Sequence, residues 1–250
     1  LDNGQGHVTF KTEEGPNWVG FRPARTTAHN NAVDATGQVI PGVTDPDTIY
    51  DNKFISGHDS YDDFFVPRVY ASNTLSMTGR SKSGDINYYA SIQNTNNPGV
   101  VVLLNGVNRT SFRANMDAKL SRMVTFSTSN LFVRSIKDNR SINFDDIYYS
   151  DPDVDFNEPN LDGTPYKVNP NRISTRGNIN PLYDVANKRA EGTSNRFLGN
   201  YPLRFIPTDW LSFNAVYSVD FSNFYDQELT PKGRLTTASP DGTERETGSI

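Results

Sequence analysis

Apolar and polar positions alternate along several stretches of the chain with a period of two. From Arg109 to Leu120 one face reads Phe112, Ala114, Met116, Ala118 and Leu120, and the other Ser111, Arg113, Asn115, Asp117 and Lys119. From Leu211 to Phe221 one face carries Leu211, Phe213, Ala215, Tyr217, Val219 and Phe221, against Ser212, Asn214, Val216, Ser218 and Asp220. Alternation of this kind marks a strand with one apolar and one wet face. Leu75 and Met77 oppose Thr74, Ser76 and Thr78, and Ile86, Tyr88, Ala90 and Ile92 oppose Asn87, Tyr89 and Ser91. Phe197, Gly199, Tyr201, Leu203 and Phe205 share a face, with Pro202 an awkward neighbour because it cannot donate to a ladder. From Val124 the apolar parity switches, from Val124 and Phe126 to Leu131 and Val133. That switch predicts a bulge, or a strand leaving the apolar layer. Helix is a poor alternative: these stretches are rich in Ser, Thr, Asn and aromatics and lack three-four spacing of apolar residues.

The connections alternate in length. Ser81–Asp85, Ser121–Met123 and Ile206–Trp210 are short, whereas 94–108, 135–195 and the stretch from Asn223 onward are long. An up-and-down barrel in a membrane has tight turns at one end and extended loops at the other. Strands of about 10 residues, rising roughly 3.3 Å each and tilted by about 40°, span the ~25 Å apolar band of such a barrel. Trp210, beside a short turn, suits an aromatic girdle on the periplasmic side, the alternative being a buried anchor under the turn. The expected organisation is a fragment of one barrel domain over 1–250. Residues 1–70 are loop-rich, with a short strand at Val8 and Phe10, and 71–222 hold about six strands. Residues 223–250 read as an outer loop.

Composition narrows the picture. The chain has 250 residues, a formal net charge of −5 and mixed signs along its length, which excludes the concentrated basic face that nucleic-acid binding needs. Hydrophobic residues make up 35% and aromatics 12%, so the apolar content is concentrated in rings. There is no cysteine, hence no disulfide scaffold and no Cys-ligated zinc. No stretch reaches the ~18 apolar residues of a membrane helix. Leu1-Asp2-Asn3-Gly4 has no signal-peptide character, so any export signal is expected outside this segment.

The order of short phrases is specific. Tyr61-Asp62-Asp63-Phe64-Phe65 precedes Asn73-Thr74-Leu75-Ser76-Met77-Thr78-Gly79, then Asn87-Tyr88-Tyr89-Ala90-Ser91 and Asn97-Pro98-Gly99-Val100. Arg109-Thr110-Ser111-Phe112-Arg113-Ala114-Asn115 and Leu120-Ser121-Arg122 follow, with Asn180-Pro181-Leu182-Tyr183 and Arg196-Phe197-Leu198-Gly199-Asn200 later. Over roughly residues 50–222 this order resembles the SusC/RagA group of TonB-dependent outer-membrane transporters of Bacteroidota. The resemblance implies an all-β fold: an antiparallel meander forming part of a transmembrane barrel of about 22 strands with long extracellular loops. Plug domain, TonB box and closing C-terminal strand are not found, and the strands seen here cannot close such a barrel alone. The implied activity is import of oligosaccharides or peptides, driven by an inner-membrane TonB complex acting on the plug. The implied partners are outer-membrane lipids and a SusD-like surface lipoprotein that lids the barrel. The alternatives are a passive porin-like barrel and a soluble secreted glycan-binding β-protein.

Candidate chemistry is sparse, and no catalytic constellation is found. Asp151, Asp153 and Asp155, with Asn157 and Asp162, suggest a calcium loop, because alternate oxygens in a curled loop converge on one ion. Phe156 stands where such a loop has glycine and Asp162 where it has glutamate, so a solvated acidic loop competes with that reading. His7, His29 and His58 lack a second ligand at metal spacing and read as surface-loop histidines. The loop aromatics Phe144, Tyr148, Tyr149, Phe156 and Tyr166 could stack on a sugar ring or touch a lid protein, or pack the long loop on itself. Arg113, Asp117 and Lys119 would face the wet lumen and contact the plug or water.

Overall fold

The computed structural model describes residues 6–22, 24, 27–54, 57–142, 144–148, 152, 154–159, 180–232 and 241–249. Eight long strands form one sheet: β1 (Gly6–Asn17), β6 (Arg68–Arg80), β7 (Ile86–Asn97), β8 (Val107–Lys119), β9 (Val124–Asp138), β10 (Arg189–Thr208), β11 (Leu211–Thr230) and β12 (Thr243–Ser249). They lie side by side in chain order, every neighbour antiparallel. Between β1 and β6 the chain makes two small ribbons, β2 (Ala28–His29) with β5 (Asn52–Lys53) and β3 (Asn31–Val33) with β4 (Val39–Thr44), followed by helix α1 (Ser60–Phe64). Helices α2 (Phe144–Tyr148) and α3 (Pro181–Asn187) lie between β9 and β10. Among the described residues no helix is long and apolar enough to cross a membrane, a fact that bears on helices only.

The period-two pattern becomes a band because the register keeps it in step. Phe10 pairs with Leu75, Leu75 with Ile92, Ile92 with Phe112, Phe112 with Phe132, Phe132 with Phe197, and Phe197 with Phe221. Directly opposed residues share a face, so these seven side chains form one row across seven strands. Among the described residues no second layer covers the row: Phe10 is 67% exposed, Phe112 47% and Phe221 48%. Two positions further toward the long loops the same face turns polar, with Thr12, Asn73, Asn94, Thr110, Arg134, Asn195 and Asn223 in register. The apolar band therefore has a sharp outer border. The opposite face carries Thr9, Ser76, Ser91 and Arg113 in one row, the mark of a wet lumen.

The turns follow from their residues. Between β6 and β7, Gly84 takes a φ of 77°, and its carbonyl accepts from the Arg80 guanidinium at 2.9 and 2.8 Å. Between β8 and β9, the Ser121 hydroxyl accepts from the backbone N–H groups of Met123 and Val124, both at 3.1 Å. Asp209 and Trp210 alone link the paired ends Thr208 and Leu211. These tight turns share one end of the sheet, and the longer connections leave from the other, after β1, β7, β9 and β11.

Three expectations are corrected. β9 carries no bulge: its pairing with β8 runs unbroken from Lys119↔Thr125 to Val107↔Lys137. Phe132 continues the apolar parity of Val124 and Phe126, and Leu131 and Val133 face the lumen, where they are the exception rather than the rule. Residues 1–70 hold a full strand rather than a short piece: β1, with Val8 and Phe10 in it, pairs with β6 from Gly6↔Gly79 to Asn17↔Arg68. Residues 223–250 are not simply outer loop, since β11 continues to Thr230 and β12 returns beside it. Tyr225 and Leu229 keep the alternation going past the band. Trp210 is 82% exposed, which removes the buried-anchor alternative.

Candidate functional site: the outer loop cap

At the long-loop end three connections pack into one small domain. Phe64 from α1 meets Ile142, Ile147, Val154, Phe156, Leu182 and Val185 of the 139–188 connection, with Val101, Val102 and Leu104 of 98–106 against its side. The rings of Phe64 and Phe156 meet edge to face at 5.1 Å. The backbone ties the loops together as well: Val102 N–H donates to the Phe64 carbonyl at 2.8 Å, and Val66 N–H to the Val100 carbonyl at 2.8 Å. The expected self-packing of the long loop is therefore wider, reaching into its two neighbours. A loop core of this size is the device that keeps long ordered loops from collapsing or fraying.

Helices α1 and α3 each begin with a side-chain cap. The Asp59 carboxylate accepts from Tyr61 N–H at 3.0 Å and the Asn180 amide oxygen from Leu182 N–H at 2.9 Å, which satisfies otherwise orphaned donors. Pro181 sits at the start of α3, where its missing N–H costs nothing. Arg22 holds the loop leaving β1 against α1, donating to Asp59 at 3.1 Å and Asp62 at 2.8 Å. The hydrogen bond to Asp62 raises the Arg22 pKa further above its ordinary range.

Arg140 is the hub. Its guanidinium grips Asp138 (Nε to Oδ1, 2.9 Å; Nη2 to Oδ2, 2.6 Å) and reaches the carbonyls of Leu103 at 2.5 Å and Val185 at 3.0 Å. Asn105 N–H donates to the same carboxylate at 2.8 Å. One partly buried ion pair thus joins the top of β9, the 98–106 loop and α3. Burial pushes the Asp138 carboxyl upward, but the hydrogen bonds from the Arg140 side chain and from Asn105 and Arg140 N–H outweigh it and hold the group below the usual carboxylate range.

The residues expected at the site separate. Phe144 is 52% exposed, lying flat on Phe65 with ring centres 5.8 Å apart, and Tyr148 is 56% exposed. Both stand on α2, at the surface of the cap. Phe156 is buried and belongs to the core. Tyr149, Tyr166, Asp151, Asp153 and Asp162 lie outside the described residues; Asp155 alone of the three expected calcium aspartates is described. The histidines differ from expectation. His7 is on β1, and His29 is buried with its Nδ1 accepting from Asn31 N–H at 3.1 Å. His58 is brought against Asp63, Nε2 to Oδ2 at 2.8 Å, and against Asp155 at 3.7 Å. Sequence reasoning missed His58, Asp63 and Arg140: the His58–Asp63 and Asp138–Arg140 pairs are near in the chain but form no motif, and Asp155, Leu103 and Val185 reach them from far along it. Arg113, Asp117 and Lys119 lie on the wet face as expected.

No protein-family model matches the chain. A curated relative, TonB-dependent receptor P26 of Formosa agariphila, is 24% identical over 211 residues, covering 80% of this chain and 19% of its own length. The chain therefore spans about a fifth of that relative. The RagAB peptide importer in its closed-closed state superposes with a TM-score of 0.72 at 14% identity, covering 98% of this chain and 31% of that one. Its open-open state gives 0.75 at 16% identity, over 98% and 30%. The antiparallel meander is thus a stretch of such a barrel wall, not itself closed.

Proposed function

We propose that this chain, a barrel fragment of the SusC/RagA type, supplies wall strands and part of the outer vestibule to a TonB-dependent outer-membrane importer of oligosaccharides or peptides. The observation that carries the reading is the apolar row from Phe10 to Phe221, left uncovered among the described residues, backed by a polar face and with a packed loop cluster at one end. A soluble sandwich would bury that row against a second sheet. Lipid is its natural cover. Among the described residues β1 and β12 are the outer strands of the sheet, and an open edge is not tolerated in a bilayer, so further strands would complete the wall. The relatives' names support energised import over passive diffusion.

On this reading a SusD-like lipoprotein sits over the cap, with Phe144 and Tyr148 among the groups it or the substrate touches, and the TonB complex acts through a plug supplied elsewhere. The test is uptake of labelled oligosaccharide or peptide by cells carrying the full-length protein. Importer function predicts that a proton uncoupler or loss of TonB abolishes uptake; uptake that persists would assign the chain to a porin. Recovery in the soluble fraction would overturn the membrane reading altogether.

A further inference from the structure

The 18–67 and 139–188 connections meet at a cluster that the import reading does not use. One ligand atom from each of His58, Asp63 and Asp155 lies within 4.8 Å of the other two. His58 Nε2 is 2.8 Å from Asp63 and 3.7 Å from Asp155. We propose that His58, Asp63 and Asp155 bind a divalent transition-metal ion of the zinc class, which staples the two outer loops together.

The donor set chooses the metal. An imidazole nitrogen with two carboxylate oxygens suits zinc and its neighbours, whereas calcium takes oxygen ligands. Tetrahedral bonds of about 2.0–2.1 Å place ligand atoms roughly 3.3 Å apart, a spacing that the 2.8 and 3.7 Å separations bracket. The two His58 pairs reach it by shifts of about half an ångström, and the two carboxylates close from within 4.8 Å. Three protein ligands leave a fourth position for water or an incoming group.

The surroundings hold the ligands in place. Asp63 is buried, its second oxygen accepting from the Asn157 amide at 2.5 Å. Such outer support orients a ligating carboxylate. Asp63 Oδ2 also accepts from Phe156 N–H at 3.3 Å, and Asp155 Oδ1 from Asn157 N–H at 2.8 Å. A carboxylate oxygen has two lone pairs, so each keeps one for the ion. His58 N–H donates to the Pro152 carbonyl at 2.6 Å, which joins the two loops at the same point through the backbone. His58 and Asp155 are partly exposed, which gives the ion an entry path.

The experiment is zinc titration of the detergent-purified full-length protein by calorimetry, with His58→Ala and Asp155→Asn beside it, and Co²⁺ absorption as a probe of geometry. The site predicts one more equivalent of zinc in the parent than in His58→Ala, tetrahedral cobalt bands in the parent only, and weakening of about tenfold or more in Asp155→Asn. It also predicts that zinc slows proteolysis within 139–188 in the parent alone. Identical zinc stoichiometry and affinity in parent and His58→Ala would overturn it, leaving a hydrogen-bonded His–Asp pair. Calcium competing at the same site with equal affinity would overturn it too. Electrophoretic heat-modifiability common to all three proteins certifies that the variants fold, and the outcome does not depend on import.

Discussion

At the scale of single residues, the apolar face keeps its few polar groups satisfied by local arrangement. Asn130 points into the band, where its amide oxygen accepts from the Tyr201 hydroxyl at 2.6 Å and its amide nitrogen donates to Thr128 at 2.7 Å. Tyr201 reaches it by lying across Gly199: a Cβ there would sit 2.7 Å from the tyrosine oxygen. Gly79 makes the same room for Tyr88, whose Cζ would be 2.5 Å from an added Cβ. An aromatic ring over a strand glycine covers the bare backbone. Gly199→Ala is therefore expected to cost about 1–3 kcal/mol through overpacking. Tyr201→Phe should cost about 1–2 kcal/mol by leaving the Asn130 oxygen without a donor. Urea unfolding of the full protein in vesicles measures both. In the cap, removing Arg140 strands a buried carboxylate, and Arg140→Ala should weaken the cap by about 3 kcal/mol, read as faster proteolysis within 139–188. The pH sign follows from Asp138. Its folded pKa is depressed, so its stabilisation is complete above its unfolded value, about 3.9, and fades as pH falls through the folded value. Protease resistance of the cap should be flat from about pH 8 to 5 and decline only below about pH 4.

At the scale of elements, the strands outrun the membrane. β10 and β11 are 20 residues each, twice what the apolar band needs. Along β8 the lipid-facing series is Phe112, Met116 and the alanines between and beyond, with Thr110 already in the polar border row. Met116 thus lies near the middle of the band. Met116→Arg is predicted to cost about 2–4 kcal/mol, the depth-dependent penalty for a cation at the midplane. Asn115→Arg, one residue away on the wet face, should cost nearly nothing. Folding into vesicles, followed by heat-modifiable mobility, separates them. The strand pattern was legible because period two survives in sequence wherever one face meets hydrocarbon. Above the border both faces are wet, so the alternation loses contrast, and the upper ends of β9, β10 and β11 read as loop. The parity switch near Leu131 misled for a related reason: Leu131, Val133 and Leu198 are aliphatic residues on the lumen side, and a face count cannot tell them from a bulge.

At the scale of the whole molecule, the eight strands form one antiparallel sheet with its described loops packed together at one end. The cap explains why its site was illegible in sequence. Phe64, Phe156 and Val185 come from distant parts of the chain and meet only because β6, β9 and β10 deliver their loops to the same rim. Phe144 and Tyr148, by contrast, were visible as loop aromatics and remain at the surface. If they anchor the lid protein, Phe144→Ala with Tyr148→Ala should weaken its retention about tenfold, or about 1.4 kcal/mol, with the barrel still folded. The whole account depends on which face meets lipid. The chain has no cysteine, so single cysteines can be placed at each position from 112 to 119, labelled with a fluorophore and challenged with bromine-bearing lipids. The prediction is strong quenching at 112, 114, 116 and 118 and weak quenching at 111-parity positions 113, 115, 117 and 119. Uniform quenching, or quenching with the opposite parity, would contradict it.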